Sequence, residues 1–399
     1  MTGASPIDRV ARDEIVALAS RLISIPSASG EERAVMEEVI RWSSFVDLPY
    51  EVIDSDPDRP NVVISLGDPA AGPTIVMNGH LDTVPVSDLL AWRTGPFDPT
   101  VSDDGRKLFG RGASDMKSSV AVMLHVMEVL NAHSQDVPLR GSVQAHVVSD
   151  EETGGAFGTR YLLEEIAAGR LPRPDYCLIG EKSDLKVRNA ERGLLAVDVT
   201  CLGRAAHTAA ARVTGVNAIA KAAKAILALE KDIDRFHPAV GKPVISVNTI
   251  QAGVAHNVVP GECKFSIDRR LIPGETRDSA MAEIVATLDG IARQDAAFRY
   301  ELDVDPLKDH IPANITDDSS PIVQALQASI TQVTGREPEY FVAWAGATDG
   351  RFYRQAGIDT VGYGPGGENA HGANEAVQID DLVTQARVYV ETITRLLSA

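Results

Sequence analysis

An apolar run that ends in a histidine and a carboxylate constrains this chain more than any other feature of its sequence. The run covers residues 74–78 and leads through a glycine to His80 and Asp82. If the run is a strand, residues two apart project to the same side, so His80 and Asp82 would lie side by side at its carboxyl end. Ligands bind at that end of the strands in open α/β sheets. His80 could then face a metal ion while Asp82 accepts its other N–H, although a surface turn with two polar residues could have the same sequence.

Further candidate ligands share this pattern, because they lie at the ends of apolar runs or in glycine-rich loops. They are Asp115 in the loop 110–117, Glu151 and Glu152 after the run 142–148, Glu181 after the run 175–179, and His371 in the turn 366–372. Histidines and carboxylates without a cysteine suit Zn²⁺ or a similar divalent ion, and two ions would need a shared carboxylate. Taken singly, each residue has an ordinary structural explanation, such as a helix cap for Asp115. Taken together, the set predicts a metal centre.

Composition and charge restrict the class of protein. The chain has 399 residues, of which 44% are hydrophobic and 24% charged, which is typical of a globular protein long enough for two domains. The formal net charge of −18 argues against nucleic acid or an anionic membrane as a partner. No signal segment or membrane-spanning run is found in the sequence, so we expect a cytoplasmic protein. Cys177, Cys201 and Cys263 lie in apolar surroundings, where we expect free, buried thiols.

The periodicity of the apolar residues predicts an α/β domain that is interrupted by a second domain. Residues 1–190 and 305–399 alternate between strand and helix patterns, so we assign them to one discontinuous metal-binding domain. Residues 191–304 have the order strand, helix, strand, strand, helix, strand, which is that of a ferredoxin-like α+β sandwich. A segment of this length can fold by itself. Residues 340–343 are expected to be strand-like.

Five short segments resemble, in the same order, the motifs of the dizinc metallopeptidases that include acetylornithine deacetylase, succinyl-diaminopimelate desuccinylase, aminoacylase and carboxypeptidase G. They are His80-Leu81-Asp82, Gly112 to Lys117, Asp150 to Gly154, Gly180-Glu181 and Ala370-His371. The resemblance covers essentially the whole chain, and it is more specific for the family than for the substrate. It implies a zinc-peptidase-like catalytic domain with a mixed sheet and an inserted lid and dimerisation domain.

The resemblance also implies roles for individual residues. Five of them would hold two Zn²⁺ ions per subunit, for which Co²⁺ or Mn²⁺ could substitute: Asp115 between the ions, His80 and Glu181 on one, and Glu152 and His371 on the other. Glu151 would be the general base, because a carboxylate beside such ions can take a proton from the attacking water. Asp82 would support catalysis as the partner of the first histidine. A cis peptide bond is implied between Asp115 and Met116.

In the inserted domain the resemblance concerns His207, Asn257 and Arg270. His207 would reach across the interface of a homodimer and stabilise the oxyanion in the partner subunit, whereas without the family it would be a surface histidine. Asn257 and Arg270 would bind a substrate carboxylate, a task that suits a forked guanidinium, with Arg269 as the alternative. This chain lacks a proline that the family often has shortly after the lid histidine. It also has Ala-Gly at 252–253, where the family often has two glycines.

These features favour a metal-dependent hydrolase that cleaves the amide bond of an N-acyl amino acid or a similar carboxylate-bearing amide. By resemblance, Glu181 in place of aspartate and the segment 347–352 favour deacylases and desuccinylases. A carboxypeptidase or dipeptidase would use the same site, with short peptides as substrates. Hydrolysis of another C–N bond, as in an aryl amine, and a non-catalytic binding protein are the remaining alternatives. The presence of Glu151 argues against a binding protein, which would have no need of the base.

Overall fold

The protein is described by a computed structural model that covers residues 5–304, 310–342 and 346–397. The described residues form two compact units. The first lies within Met1–Asn189, Thr316–Phe341 and Thr348–Ala399, and the second within Ala190–Ile315 and Val342–Ala347. The predicted insertion ends at residue 304, whereas the second unit continues to Ile315, because two short strands near residues 310–315 pair with strands of that unit.

The helices and strands of the described residues are numbered here in chain order. The helices are α1 (Arg12–Ile23), α2 (Arg33–Phe45), α3 (Lys117–Ser134), α4 (Thr159–Ala167), α5 (Ala218–Leu229), α6 (Arg277–Gln294), α7 (Pro321–Thr334), α8 (Gly350–Gln355) and α9 (Ile379–Leu397). The strands are β1 (Tyr50–Ile53), β2 (Asn61–Gly67), β3 (Thr74–His80), β4 (Thr100–Val101), β5 (Lys107–Phe109), β6 (Ser142–Val148), β7 (Tyr176–Ile179), β8 (Ala190–Glu191), β9 (Gly193–Leu202), β10 (Ala206–His207), β11 (Val244–Ala252), β12 (Val258–Val259), β13 (Glu262–Leu271), β14 (Arg299–Asp303), β15 (His310–Ile311), β16 (Asn314–Ile315), β17 (Asp359–Gly362), β18 (Gly367–Glu368) and β19 (Ala376–Gln378). Among these helices, none combines the length and the apolar character that crossing a membrane requires.

The first unit is built on a six-stranded mixed sheet in the order β1-β2-β6-β3-β7-β17, which confirms the predicted α/β class. The strands β6, β3, β7 and β17 run parallel, and β1 and β2 form an antiparallel edge. Every residue of β3 is buried, which explains its continuous apolar sequence. Although β2 and β3 are consecutive in the chain, β6 lies between them. The carboxyl ends of β6, β3 and β7 therefore lie side by side.

Helix α3 is the central helix of the first unit. It contacts α1, α9, β3 and β6, and residues on all of its sides are buried, as expected for a helix without a polar face. Because α3 begins at Lys117, Asp115 lies two residues before a helix that is packed on every side. The predicted cis peptide bond between Asp115 and Met116 is confirmed.

A small four-stranded sheet in the order β18-β19-β5-β4 completes the first unit and was not predicted from the sequence. Asp115 follows β5, and the turn that contains His371 joins β18 to β19. Since β19 pairs with β5, these two loops are held beside each other. The predicted strand at 340–343 was wrong in its described part, because Tyr340 makes only an isolated bridge to Val187. Ala343 lies outside the described residues.

The second unit has an antiparallel sheet in the order β11-β13-β9-β14, with β15 also paired to β9. Its principal elements follow the order β9, α5, β11, β13, α6, β14, which is the ferredoxin-like order that the sequence predicts. Alternate residues of β9 are buried, because α5 packs on one face of the sheet. The three cysteines are free and buried, as predicted, and two of them, Cys201 and Cys263, belong to the core of this unit.

Candidate metal centre

The candidate ligands of the first unit meet at one edge of its large sheet. His80 is the last residue of β3, Glu151 and Glu152 follow β6, and Glu181 follows β7. The carboxyl ends of adjacent parallel strands lie at the same edge, where open α/β sheets bind their ligands. Asp115 reaches this edge from the loop before α3.

The first group of facing ligand atoms comes from His80, Asp115 and Glu181. His80 Nε2 lies 3.1 Å from Asp115 Oδ1 and 3.2 Å from Glu181 Oε1. His80 Nδ1 lies 2.9 Å from the carbonyl oxygen of Asp82, which can only accept a hydrogen bond, so Nδ1 carries a proton. A neutral His80 would therefore direct the lone pair of Nε2 at two carboxylate oxygens. That arrangement is unfavourable unless a proton or a cation lies between them.

The second group comes from Asp115, Glu152 and His371. His371 Nε2 lies 3.1 Å from Asp115 Oδ2 and 3.0 Å from Glu152 Oε1. Glu152 Oε1 is buried and accepts no hydrogen bond from the described residues. A buried carboxylate oxygen in this state fits the coordination of a cation. Asp115 belongs to both groups and presents one oxygen to each histidine.

Asp82 joins the end of β3 to the turn that follows β6. Its Oδ1 accepts the N–H of Glu151 at 3.0 Å, and its Oδ2 accepts the N–H of Glu152 at 3.1 Å and the hydroxyl of Ser29 at 2.8 Å. Its Oδ1 also lies 3.3 Å from His80 Nδ1. Asp82 thus orients the histidine and both glutamates, and its side chain is fully buried.

Glu151 lies in the same turn but belongs to neither group of facing ligand atoms found among the described residues. Burial raises its pKa well above the ordinary value; the charges of Asp349, Glu181 and Asp115 raise it further and His80 opposes them. A raised pKa favours proton acceptance near neutral pH, which is the property that a general base needs.

The pKa values of the histidines indicate that protons balance these carboxylates when no cation is bound. Burial lowers the pKa of His80, but hydrogen bonds to Asp115, Asp82 and Glu181 outweigh burial and raise it well above the ordinary value. The carboxylates of Asp115 and Glu152, which lie close to its Nε2, raise the pKa of His371 to about 10. Burial, with the charge of Asp115, raises the pKa of Glu181 to about 7. A metal ion would replace these protons, so the nitrogen and oxygen donors fit a divalent cation such as Zn²⁺.

A third group, formed by Glu14, His125 and Glu128, also brings possible ligand atoms together. His125 Nδ1 lies 3.5 Å from Glu14 and 3.4 Å from Glu128. His125 Nε2, however, accepts the N–H of Ala11 at 3.1 Å, so in the neutral ring the proton is on Nδ1. Nδ1 therefore has no lone pair for a metal ion, and we interpret this group as a histidine that donates toward two surface carboxylates.

The three predicted site residues of the second unit are His207, Asn257 and Arg270. His207 and Asn257 are neighbours, because β10 pairs with β12 and the N–H of Thr208 donates to the carbonyl of Asn257 at 3.0 Å. Both side chains are exposed. Arg270 forms a bidentate pair with Asp268 at 2.7 and 2.9 Å. Arg269 is 1% exposed and bonded to Glu275, which favours Arg270 as the arginine that meets a ligand.

Three residues near the centre were missed by sequence reasoning as site residues. Glu375 is fully buried beside the loop of Asp115, and Arg111 pairs with it. Asp349 is 2% exposed, accepts a hydrogen bond from Thr159 at 2.6 Å and has a pKa raised to about 6 by burial. In the sequence, Asp349 belongs to the segment 347–352 that resembles the deacylases, and Glu375 is an acid after an asparagine. For Glu375 no local pattern was available, because the strand that follows it, β19, has only three residues.

The fold and the site define a metal-dependent hydrolase. The family model for peptidase family M20/M25/M40 matches residues 76–395. The chain is 33% identical over 334 residues to a succinyl-diaminopimelate desuccinylase of Marinobacter nauticus, with 82% of this chain and 84% of that protein covered. It is 32% identical over 395 residues to a succinyl-diaminopimelate desuccinylase of an Azoarcus species, with 96% and 98% covered. The chain therefore belongs to peptidase family M20/M25/M40, which confirms the family resemblance.

A solved structure has the same fold. It is that of a dinuclear metal-binding peptidase of the M20 family from Bacillus subtilis, which matches with a TM-score of 0.72 at 19% identity. The match covers 97% of this chain and 98% of that chain. The shared fold extends over both units of the present protein.

Proposed function

We propose that this enzyme hydrolyses the amide bond of an N-acyl amino acid, or of a similar amide that carries a free carboxylate. The observation that carries the proposal is the position of Asp115, whose two oxygens face two different histidines, each accompanied by a further carboxylate. A shared carboxylate between two such groups is what a pair of divalent ions needs. The curated relatives named above support the choice of an acyl amino acid.

The residues that would hold the metals follow from the two groups. His80 and Glu181 would bind one Zn²⁺ ion, Glu152 and His371 would bind the other, and Asp115 would bridge them; Co²⁺ or Mn²⁺ could substitute. When bound, the ions would polarise the substrate carbonyl and activate water. Glu151 would accept the proton of the attacking water and donate it to the departing amine.

The carboxylate of the substrate would be bound by Asn257 and Arg270. Arg270 is about one third exposed, so its guanidinium can be reached from solvent. Its present partner Asp268 would be exchanged for, or shared with, the substrate carboxylate, because a guanidinium has five N–H donors. We also propose a cytoplasmic location, since three free buried cysteines suit a reducing compartment.

A turnover screen with and without metal tests the proposed function. After removal of metal with a chelator, the protein should be inactive, and added Zn²⁺ or Co²⁺ should restore hydrolysis of N-succinyl, N-acetyl or N-formyl amino acids. N-succinyl amino acids are the first substrates to test, because the curated relatives are named for removal of a succinyl group. The matched control is the same compound with its carboxylate amidated, which should be cleaved much more slowly.

The screen also separates the alternative function. Hydrolysis of dipeptides or of carboxyl-terminal residues, with no turnover of acyl amino acids, would support a peptidase that uses the same centre. Activity that persists after complete metal removal would contradict both the proposed hydrolase of acyl amino acids and the alternative peptidase, because each depends on the metal centre.

We further propose that the enzyme is a homodimer in which His207 serves the site of the partner subunit. His207 Nδ1 accepts the N–H of Ala209 at 3.2 Å, so the neutral ring carries its proton on Nε2, the form that can donate to an oxyanion. The edge strand β11 is exposed from residue 248 to 252 and could pair with a second copy.

Mixing two inactive variants should restore activity if His207 acts in the partner's site. A heterodimer of His207→Ala and Glu151→Ala subunits has one site with both residues intact and one site that lacks both. Random exchange makes about half of the dimers heterodimers, so the mixture should recover up to about a quarter of wild-type turnover. The measurement is kcat per subunit before and after exchange.

Two controls make the complementation test decisive. Mass spectrometry of differently labelled subunits measures the fraction of heterodimers. Each variant mixed with wild-type protein should show the same turnover before and after exchange, because such a heterodimer has one competent site. Absence of recovery despite exchange would mean that His207 acts within its own subunit or not at all.

A further inference from the structure

A buried glutamate connects the two loops that supply Asp115 and His371. Glu375 lies four residues after His371 and directly before β19, and its side chain is completely buried. It is absent from both groups of facing ligand atoms found among the described residues. Its carboxylate is instead turned toward the loop that precedes α3.

The carboxylate of Glu375 accepts hydrogen bonds from most of that loop. Oε1 accepts the N–H of Ser114 at 2.8 Å and the N–H of Asp115 at 3.0 Å. Oε2 accepts the N–H of Gly112 at 3.0 Å and Nη1 of Arg111 at 2.7 Å. The backbone N–H groups of Gly112, Ser114 and Asp115 therefore converge on one carboxylate, as backbone amides do in an anion-binding nest. These hydrogen bonds fix the backbone of the loop.

The same residue also holds the loop through its main chain. The carbonyl oxygen of Glu375 accepts the N–H of Gly110 at 3.0 Å, and Gly110 and Gly112 have φ values of 150° and 81°, which glycine adopts readily. The loop from residue 110 to 115 is therefore wrapped around Glu375. The direction of the Asp115 side chain depends on this backbone.

Arg111 extends the connection to the second histidine. Its Nη2 donates to the carbonyl oxygen of His371 at 3.2 Å, and its guanidinium lies 5.4 Å from the centre of the Trp92 ring. His371 has a φ of 65°, in the left-handed region that residues other than glycine adopt infrequently. Arg111 stabilises that turn while its other nitrogen is held by Glu375.

We propose that Glu375 is a positioning residue that sets Asp115 and, through Arg111, His371 in the geometry needed to share two metal ions. The inference rests on the proposed function, because it assigns Glu375 to the support of the same centre. Glu375 touches neither the ions nor the substrate in this role. Its contribution is the placement of a bridging carboxylate relative to two imidazoles.

The chemistry of the four donors explains why a carboxylate is needed here. All four contacts are N–H groups that point at the two oxygens of Glu375, so each oxygen must accept. Glutamine has almost the same shape but offers one oxygen and one NH₂ group, and the NH₂ would face two donors. Glu375→Gln should therefore displace the loop without creating a cavity.

Metal binding to Glu375→Gln tests the proposal. Titration calorimetry of the metal-free protein with Zn²⁺ should show at least one of the two ions bound about 10–100-fold more weakly than in the wild type. The visible absorption spectrum of the Co²⁺ form should change as well, because the spectrum reports the geometry of the ligands. Neither readout depends on substrate turnover.

Glu165→Gln is the matched control. Glu165 is also a buried glutamate paired with an arginine, Arg170, but it lies on α4 and its contacts do not include the loop 110–115. This variant should bind both ions and give the Co²⁺ spectrum of the wild type. The unfolding temperature of each metal-free variant is measured in parallel.

The outcomes separate the possibilities. If Glu375 is merely structural, Glu375→Gln lowers the unfolding temperature of the metal-free protein but leaves the Zn²⁺ affinities and the Co²⁺ spectrum unchanged, and that result would overturn the proposal. A wild-type protein that binds no metal would overturn the proposed function together with this inference, whereas equal binding by wild type and variant would overturn the inference alone.

Should Glu375→Gln fail to fold, Arg111→Lys provides the second test. Lysine keeps a positive charge beside Glu375, but a single ammonium group cannot reproduce the fork that reaches both Glu375 and the His371 carbonyl. Zn²⁺ binding weakened by about tenfold or more would support the proposal. Unchanged affinities and an unchanged Co²⁺ spectrum would overturn it.

Discussion

Replacing Glu151 with glutamine is expected to lower kcat by about 10²–10⁴-fold while the protein keeps its metal content. The variant retains the size of the side chain and the backbone N–H that donates to Asp82 at 3.0 Å, so the turn after β6 should keep its geometry. An amide cannot accept the proton of the attacking water. Steady-state kinetics and metal analysis of the same preparation measure the two quantities.

The control for this prediction is Glu164→Gln, which makes the same chemical change at an exposed position of α4. Its kcat and metal content should match those of the wild type. Turnover of Glu151→Gln within a few-fold of wild type would remove Glu151 from the mechanism. Loss of metal together with activity would instead make Glu151 a ligand, contrary to its position outside both groups.

Replacing Asp115 with asparagine is expected to reduce the number of tightly bound ions from two to at most one and to lower turnover by at least about 10³-fold. Asp115 is the residue that both groups share, with one oxygen 3.1 Å from His80 and the other 3.1 Å from His371. An asparagine offers one oxygen and would turn N–H donors toward one of the two groups. A metal ion contributes several kcal/mol to catalysis, and about 1.4 kcal/mol corresponds to a factor of ten.

Metal stoichiometry and turnover of Asp115→Asn are measured beside Asp103→Asn, an exposed aspartate in the same region of the chain. The control should bind two ions and be fully active. If Asp115→Asn still bound two ions with wild-type affinity, Asp115 would not bridge them, and the two groups would have to be independent sites.

Much of the fold was predictable because its signals are local. A parallel strand buried on both faces has a continuous apolar sequence, so β3, β6 and β7 could be found and their carboxyl ends identified. Open α/β sheets bind their ligands at the carboxyl ends of such strands. The polar residues at or just after the ends of these strands, His80, Glu152 and Glu181, were therefore candidates for metal ligands. The order of elements in the second unit was predictable for the same reason, since alternating burial in its strands leaves a period of two in the sequence.

The parts that escaped prediction depend on pairings between distant segments. The small sheet β18-β19-β5-β4 has strands of two or three residues, too short to carry a periodic pattern. The place of β6 between β2 and β3 is a matter of sheet order, which no local pattern specifies. The roles of His207, Asn257 and Arg270 remain predictions, because they concern a substrate and a partner subunit.

The sequence alone thus determined which side chains could form a metal centre, because ligand chemistry belongs to residue types and strand ends belong to local hydrophobic patterns. Tertiary structure decided how those side chains face one another. Asp115 and His371 are separated by more than half of the chain, and they meet only because β19 pairs with β5. The role of Glu375 could not be predicted from the sequence for the same reason. Its four hydrogen-bond donors lie some 260 residues earlier in the chain, and only folding brings them to its carboxylate.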